Sequence, residues 1–178
     1  MDKKDREKWS PGGKTMVKVF LVEDEAIIRH GIRDNIDWAS HGFEFAGEAG
    51  DGEYAYPLIL KAQPDILVTD IKMPFMDGLE LSRLVKKTLP RTRIIVLSGY
   101  NEFEYAKEAI KIGISDYLLK PVSSAGLIDA LKKAADEIRE ERENRGFWSG
   151  ILSATKNIQN FWTKRITAAL TGSLSTIF

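Results

Sequence analysis

Residues 65–81 read DILVTDIKMPFMDGLEL. Ile66–Thr69 is a short, unbroken run rich in β-branched residues, the pattern of a strand buried on both faces. The run stops at an acid, Asp70. Pro74 then fixes the backbone, so Met73, Pro74 and Met76 read as a rigid loop rather than a site. Asp77-Gly78 is a turn and helix-start signal. Helical spacing takes over across Gly78–Leu89, with Leu81, Leu84 and Val85 on one face and Pro90 as the stop. Strand, acid-ended loop and helix in this order make one βα unit.

The same unit recurs on either side. Further apolar runs are Val17–Val22, Phe43–Ala49, Ile94–Leu97 and Ser115–Leu119. Between them lie segments of helical spacing. Ala26–Trp38 carries Ile28, Ile32 and Ile36, and Glu53–Ala62 carries Ala55, Leu58, Ile59 and Ala62. Glu102–Ile112 carries Phe103, Ala106 and Ile110, with Gly113 placed to cap its end. Ser123–Arg145 carries Leu127, Leu131, Ala134 and Ile138. Five strands alternating with five helices predict an α/β fold, a parallel sheet sandwiched between helices.

Composition narrows the function. The 178 residues hold 26 Lys+Arg against 26 Asp+Glu, so the bulk basic charge of a self-sufficient nucleic-acid binder is missing. With no cysteine there are no disulfides, thiolate nucleophiles or Cys-ligated zinc. Two histidines, His30 and His41, are too few for a multi-His metal site. No apolar run approaches the roughly 18 residues of a membrane span, and the charged N-terminus does not read as a signal peptide. A cytoplasmic protein is expected.

The chemistry gathers at one edge of the sheet. Parallel strands point the same way, so residues at their carboxyl ends share one rim, where ligands of such sheets bind. Strand 1 runs into Glu23-Asp24-Glu25, strand 3 into Asp70, strand 4 into Ser98-Gly99 and strand 5 into Lys120-Pro121. Strand 2, ending near Glu48-Ala49-Gly50, contributes nothing comparable. Each feature alone has an ordinary explanation: acids cap helices, Asp makes turns, lysines are solvated. Their convergence on one rim favours a joint site. Three carboxylates in one pocket repel unless a cation sits among them. With oxygen donors alone, that cation is hard, and magnesium fits because it keeps waters that a phosphate can displace. A lysine opposite suits a phosphoryl oxygen, and a carboxylate can itself accept a phosphoryl group.

VFLVEDE (19–25), the 65–81 run and IIVLSGYNEFEYAKEAIKIGISDYLLKP (94–121) together resemble the receiver domain of bacterial two-component response regulators over about residues 16–140. YNEFEYAKEAIK resembles the YesN/AraC-type subfamily, whose receivers precede a helix-turn-helix output domain. The resemblance implies a flavodoxin-like three-layer sandwich with strand order 2-1-3-4-5, the order the general rule gives for receivers. It implies that Asp70 is the phosphoacceptor. It implies that Glu23, Asp24, Asp70 and the backbone carbonyl of Lys72 hold Mg2+, and that Lys120 and Ser98 bond the phosphoryl group. Tyr117 would be the rotating aromatic of the switch, and the Lys120–Pro121 bond would be cis. The expected partners are a sensor histidine kinase and a second copy through the helix 4–strand 5–helix 5 face. DNA would be reached only through an output domain absent from this chain, and no membrane is involved. External substrate turnover, as in an ordinary enzyme, is not expected. Two alternatives stand beside this switch: a phosphorylation-independent interaction module of receiver fold, and, more weakly, a magnesium-dependent hydrolase.

Three further expectations concern the remainder. Residues 1–15 read as a disordered lead or cloning remnant, with Met16 as a natural start. Residues 141–178 read as a helical linker or extension, amphipathic after a break at Gly146 or Gly150. Tyr100, two residues after Ser98, is placed to exclude the water that would hydrolyse the phosphoryl group.

Overall fold

The structure is a computed structural model that describes residues 16–99 and 103–170, with side chains over 16–99, 105–149 and 155–156. The elements alternate as the sequence predicts: β1 (Val17–Val22), α1 (Ala26–Asn35), β2 (Phe43–Ala49), α2 (Gly52–Ala62), β3 (Ile66–Asp70), α3 (Gly78–Thr88), β4 (Arg93–Ser98), α4 (Phe103–Ile112), β5 (Asp116–Leu119) and α5 (Ser124–Leu170). All strand pairings are parallel, and the sheet order is β2-β1-β3-β4-β5. This is the flavodoxin-like order, with β1 and β3 at the centre where the chain reverses direction across the sheet.

Burial follows from that order. β3 is buried at every position, and β1 and β4 at all but one. They are the continuous Val/Ile/Leu runs, covered on both faces. β2 and β5 lie at the edges and are only partly buried. On one face Phe20, Val22, Leu67, Ile94 and Val96 form a core with Ala55 and Ile59 of α2, Leu81 and Val85 of α3 and Ala109 of α4.

The helix ends are set by local chemistry. Asp51 and Asp77 cap α2 and α3, accepting from the backbone N–H groups of Tyr54 and Glu80, each at 2.7 Å. Gly113 ends α4 with φ +77, the left-handed conformation glycine adopts without strain. α1 stops at Asn35, short of the expected Trp38. Trp38 instead packs on Phe45, ring centroids 5.0 Å apart, and its indole N–H donates to the Arg33 carbonyl at 2.9 Å. That bond satisfies a carbonyl of the last turn that the helical ladder leaves open.

The chain divides into two compact units, Met1–Asp136 and Glu137–Phe178. The expected break at Gly146 or Gly150 does not occur, because α5 is continuous through both. A glycine weakens a helix by about 1 kcal/mol but leaves its hydrogen-bond ladder intact. Among the described residues no helix is long and apolar enough to cross a membrane.

Candidate functional site

Four of the predicted site residues meet at the carboxyl edge of the central strands. Glu23 leaves β1 fully buried, Asp24 beside it is exposed, and Asp70 ends β3 at 6% exposure. Carboxylate oxygens of the three lie within 4.8 Å of one another. Lys120, just past β5, reaches back over the sheet edge. Its ammonium donates to Asp70 Oδ2 at 2.9 Å and lies 2.7 Å from Glu23 Oε2. The second contact is an ion pair with a carboxylate that is itself fully buried. Asp70 Oδ1 accepts from the Ile71 N–H at 2.7 Å, so both acceptor oxygens of Asp70 are held.

The electrostatics are those of three acids under one cation. Burial pushes the Glu23 carboxyl above its usual range, and the neighbouring Asp70 charge acts the same way, against the lowering effect of Lys120. For Lys120, burial works against the charge, but the carboxylates of Glu23 and Asp70 outweigh it and hold the ammonium above its ordinary value. One ammonium against three carboxylates leaves the cluster net negative. A buried, partly unsatisfied oxygen on Glu23 and an all-oxygen donor set suit a hard divalent ion.

The loop after Asp70 is held close to it. Gly78, the first residue of α3, donates its N–H to the Ile71 carbonyl at 2.9 Å. A Cβ at Gly78 would fall 1.8 Å from the Asp70 carbonyl oxygen. The Gly78 carbonyl in turn accepts from the buried Ser82 hydroxyl at 2.5 Å. The loop between them carries exposed Lys72 and exposed Phe75, the latter at φ +68.

The remaining predicted residues sit around this centre rather than in it. Ser98 is buried at the end of β4, and its hydroxyl donates to the Gly99 carbonyl at 3.1 Å. Tyr117 is half-buried on β5, opposite Val96, and packs on the core beneath α4. The Lys120–Pro121 bond is cis, as the resemblance implied. Tyr100 lies outside the described residues.

Strand β2, whose end was expected to contribute nothing comparable, carries Glu48 beside α1 rather than in the acidic group. Glu48 accepts from Arg33 Nη1 at 3.1 Å and lies 3.5 Å from Arg29 Nε. Arg29 itself contacts the backbone of the acidic turn. In the sequence Gly78 reads only as part of a turn and helix-start signal. Its closeness to Asp70 had no signal in the chain.

A parallel sheet of this order, with acids and a lysine at its switch point, defines a flavodoxin-like α/β domain with a charged site at its carboxyl edge. The sequence signature of the response regulator receiver domain matches residues 19–132, and the chain belongs to that family. It is 45% identical over 146 residues to the transcriptional regulatory protein YesN of Bacillus subtilis, covering 82% of this chain and 40% of that protein. It is 37% identical over 131 residues to the transcriptional regulatory protein HptR of Staphylococcus aureus, covering 74% and 51%. Among solved structures, the receiver domain of the response regulator AraT from Geobacillus stearothermophilus superposes with a TM-score of 0.67 at 43% identity, over 71% of this chain and 98% of that one. The chain thus spans about half or less of the length of these curated relatives. Domains of this family are signalling modules rather than metabolic enzymes. They act through phosphorylation, interact with histidine kinases and bind Mg2+ at an acidic pocket, and Glu23, Asp24 and Asp70 form such a group here.

Proposed function

We propose that this chain is a phosphorylation-activated switch in which Asp70 accepts a phosphoryl group from a histidine kinase. The observation that carries the reading is the Lys120 ammonium, placed 2.9 Å from Asp70 Oδ2 and 2.7 Å from Glu23 Oε2. A cation between two buried acids at this rim suits the product of the reaction. An Asp70 oxygen attacks phosphorus, the bond to the donor nitrogen breaks with its electron pair, and an acyl phosphate forms. Lys120 then exchanges its bond to the carboxylate for one to a phosphoryl oxygen. The Ile71 N–H holds the other Asp70 oxygen and fixes the carboxyl group's direction. Glu23, Asp24, Asp70 and the Lys72 carbonyl would hold Mg2+, which supplies charge neutralisation to the phosphoryl oxygens when bound.

Ser98 and Tyr117 form the switch. Phosphorylation adds charge and three acceptor oxygens. The Ser98 hydroxyl leaves the Gly99 carbonyl for one of them, its loop moves inward, and Tyr117 turns into the space released. The domain shifts between two states rather than refolding. The changed surface lies on α4 and β5, where Ile110 is 80% and Leu119 61% exposed. That face suits a homodimer formed on activation. The output is transcriptional, a reading carried by relatives that are named transcriptional regulatory proteins. Residues 16–140 are the receiver, residues 141–178 a helical extension, and the setting is cytoplasmic.

Incubating the chain with acetyl phosphate, with and without Mg2+, and weighing the intact protein tests the assignment. One phosphoryl adduct is expected, and it should need both Mg2+ and Asp70, vanishing in Asp70→Asn. An adduct that survives Asp70→Asn overturns it. No adduct from either acetyl phosphate or a phosphorylated histidine kinase moves the phosphorylation-independent docking module to the front.

A further inference from the structure

The geometry points to Arg29 and Glu48 as a positioning pair for the acidic turn: Glu48 on β2 holds the Arg29 guanidinium, and the guanidinium holds the backbone of Glu23 and Asp24. This rests on the reading of Glu23, Asp24 and Asp70 as a magnesium site, and it adds what keeps the first two in place.

Arg29 is the fourth residue of α1. Side chains on a helix tilt toward its N-terminus, so a long one in the first turn reaches the loop that precedes it. Arg29 Nη1 donates to the Glu23 carbonyl at 2.5 Å and to the Asp24 carbonyl at 3.4 Å. The helical ladder does not use either carbonyl for Arg29, whose own N–H bonds the Glu25 carbonyl at 2.9 Å. On its other edge, Arg29 Nε lies 3.5 Å from Glu48 Oε1. The same oxygen accepts from Arg33 Nη1 at 3.1 Å and lies 3.6 Å from His30 Nε2. The guanidinium packs on the strand end, where a Cβ at Gly50 would come 3.3 Å from Nη1.

The sheet fixes Glu48. It pairs with Leu21 in the β1–β2 register, and the next step is closed by Glu23 N–H donating to the Ala49 carbonyl at 3.1 Å. The turn carrying the acids is thus tied to β2 twice, once through the backbone and once through the Arg29 fork. A planar guanidinium can bond carbonyls on one edge and a carboxylate on the other. A lysine ammonium has no such fork. Arg29 and Glu48 touch neither the carboxylates nor a phosphoryl group. They act through the turn, as partners behind metal ligands do, and loss of such partners weakens metal affinity by about 10- to 100-fold.

The test uses the whole chain and the variants Arg29→Met, Arg29→Lys and Glu48→Gln. Mg2+ affinity of the unphosphorylated protein is measured by isothermal titration calorimetry. Amide hydrogen exchange at Asp24 and Glu25 is measured without Mg2+, and the acetyl phosphate reaction is followed across a Mg2+ series. Arg29→Met is expected to weaken Mg2+ by about 10- to 100-fold, with faster exchange in the turn. Arg29→Lys recovers part of the loss, and Glu48→Gln moves in the same direction by less. The deficit in phosphorylation shrinks as Mg2+ is raised. Should Arg29→Met fail to fold, Glu48→Gln, which keeps the side chain's shape, carries the comparison. Unchanged Mg2+ affinity in folded Arg29→Met and Glu48→Gln overturns the inference, as does unchanged exchange at the turn. If the wild-type chain binds no Mg2+ while exchange accelerates in Arg29→Met, the magnesium reading falls and the holding of the turn stands.

Discussion

Replacing Gly78 by alanine puts a methyl group where the backbone of Asp70 already is. The added Cβ would lie 1.8 Å from the Asp70 carbonyl oxygen, 2.8 Å from its carbonyl carbon and 3.0 Å from Thr69 Oγ1. Ordinary van der Waals contact begins near 3.4 Å, so in a close-packed interior the two segments must part by about 1.6 Å. The obstacle is backbone on a central strand rather than the end of a flexible side chain. Neither segment yields easily. β3 is hydrogen-bonded on both sides, and Gly78 is tied to Ile71 and Ser82. Overpacking of this kind costs about 1–3 kcal/mol and occasionally more, and the upper end is expected here. For a domain this size that lowers Tm by roughly 6–15 °C. The second consequence is chemical. Displacing a reacting group by about 1 Å costs on the order of a hundredfold in rate, so phosphorylation of Asp70 should slow by at least that factor even where the variant is folded. Thermal and urea denaturation measure the first effect, and the rate of acetyl phosphate labelling at high Mg2+ the second. Gly146→Ala, far from the site along the chain, is the control, since a Cβ there meets nothing within 4 Å among the described residues. A Gly78→Ala protein with wild-type stability and wild-type labelling would refute the claim that this contact positions the acceptor.

Other outcomes follow from the same geometry. Lys120→Met strips the cation from Asp70 and fully buried Glu23. Removing one partner of a buried pair costs about 3–5 kcal/mol, so metal-free stability in urea should fall by that order and Mg2+ should restore more of it than in the wild type. Mg2+ itself should raise Tm by mass action, about 2.7 kcal/mol at a hundred times Kd, an effect that Asp24→Asn should largely abolish in a calorimetric scan. The raised Glu23 carboxyl gives a pH signature. A raised acid binds its proton more tightly in the folded state, so its share of stability falls as pH rises from 4.5 through the folded value. Glu23→Gln should lack this decline, and the urea midpoints of the two metal-free proteins should diverge above pH 4.5. The raised Lys120 acts at the alkaline end, where its stabilisation is present below pH 10.5 and is lost as pH rises through its folded value. Lys120→Met should flatten that limb of the stability profile.

What could be read along the chain were features with local causes. Continuous Val/Ile/Leu runs marked β1, β3 and β4 because both their faces had to be apolar. Asp77-Gly78 marked the start of α3, and Gly113 the end of α4, because capping is a matter of adjacent residues. Glu23, Asp24, Asp70 and Lys120 could be placed on one rim because parallel strands all end on the same side. Only the fold brings the Lys120 ammonium within 2.9 Å of Asp70, across 50 residues of chain. Only the β1–β2 register sets Glu48 beside Arg29, a partnership invisible when β2 is read alone. Only the packing of α3 against β3 makes Gly78 a residue that can be nothing larger. The continuity of α5 through Gly146 and Gly150 likewise went unseen, since a glycine lowers a helix's stability without forbidding it. The sequence by itself determined the alternation of elements and the inventory of charged groups at the strand ends. The tertiary structure decided which of those groups touch and what holds them. Strand and helix patterns arise from neighbours in sequence, whereas a site is made by distances between residues that are far apart along the chain.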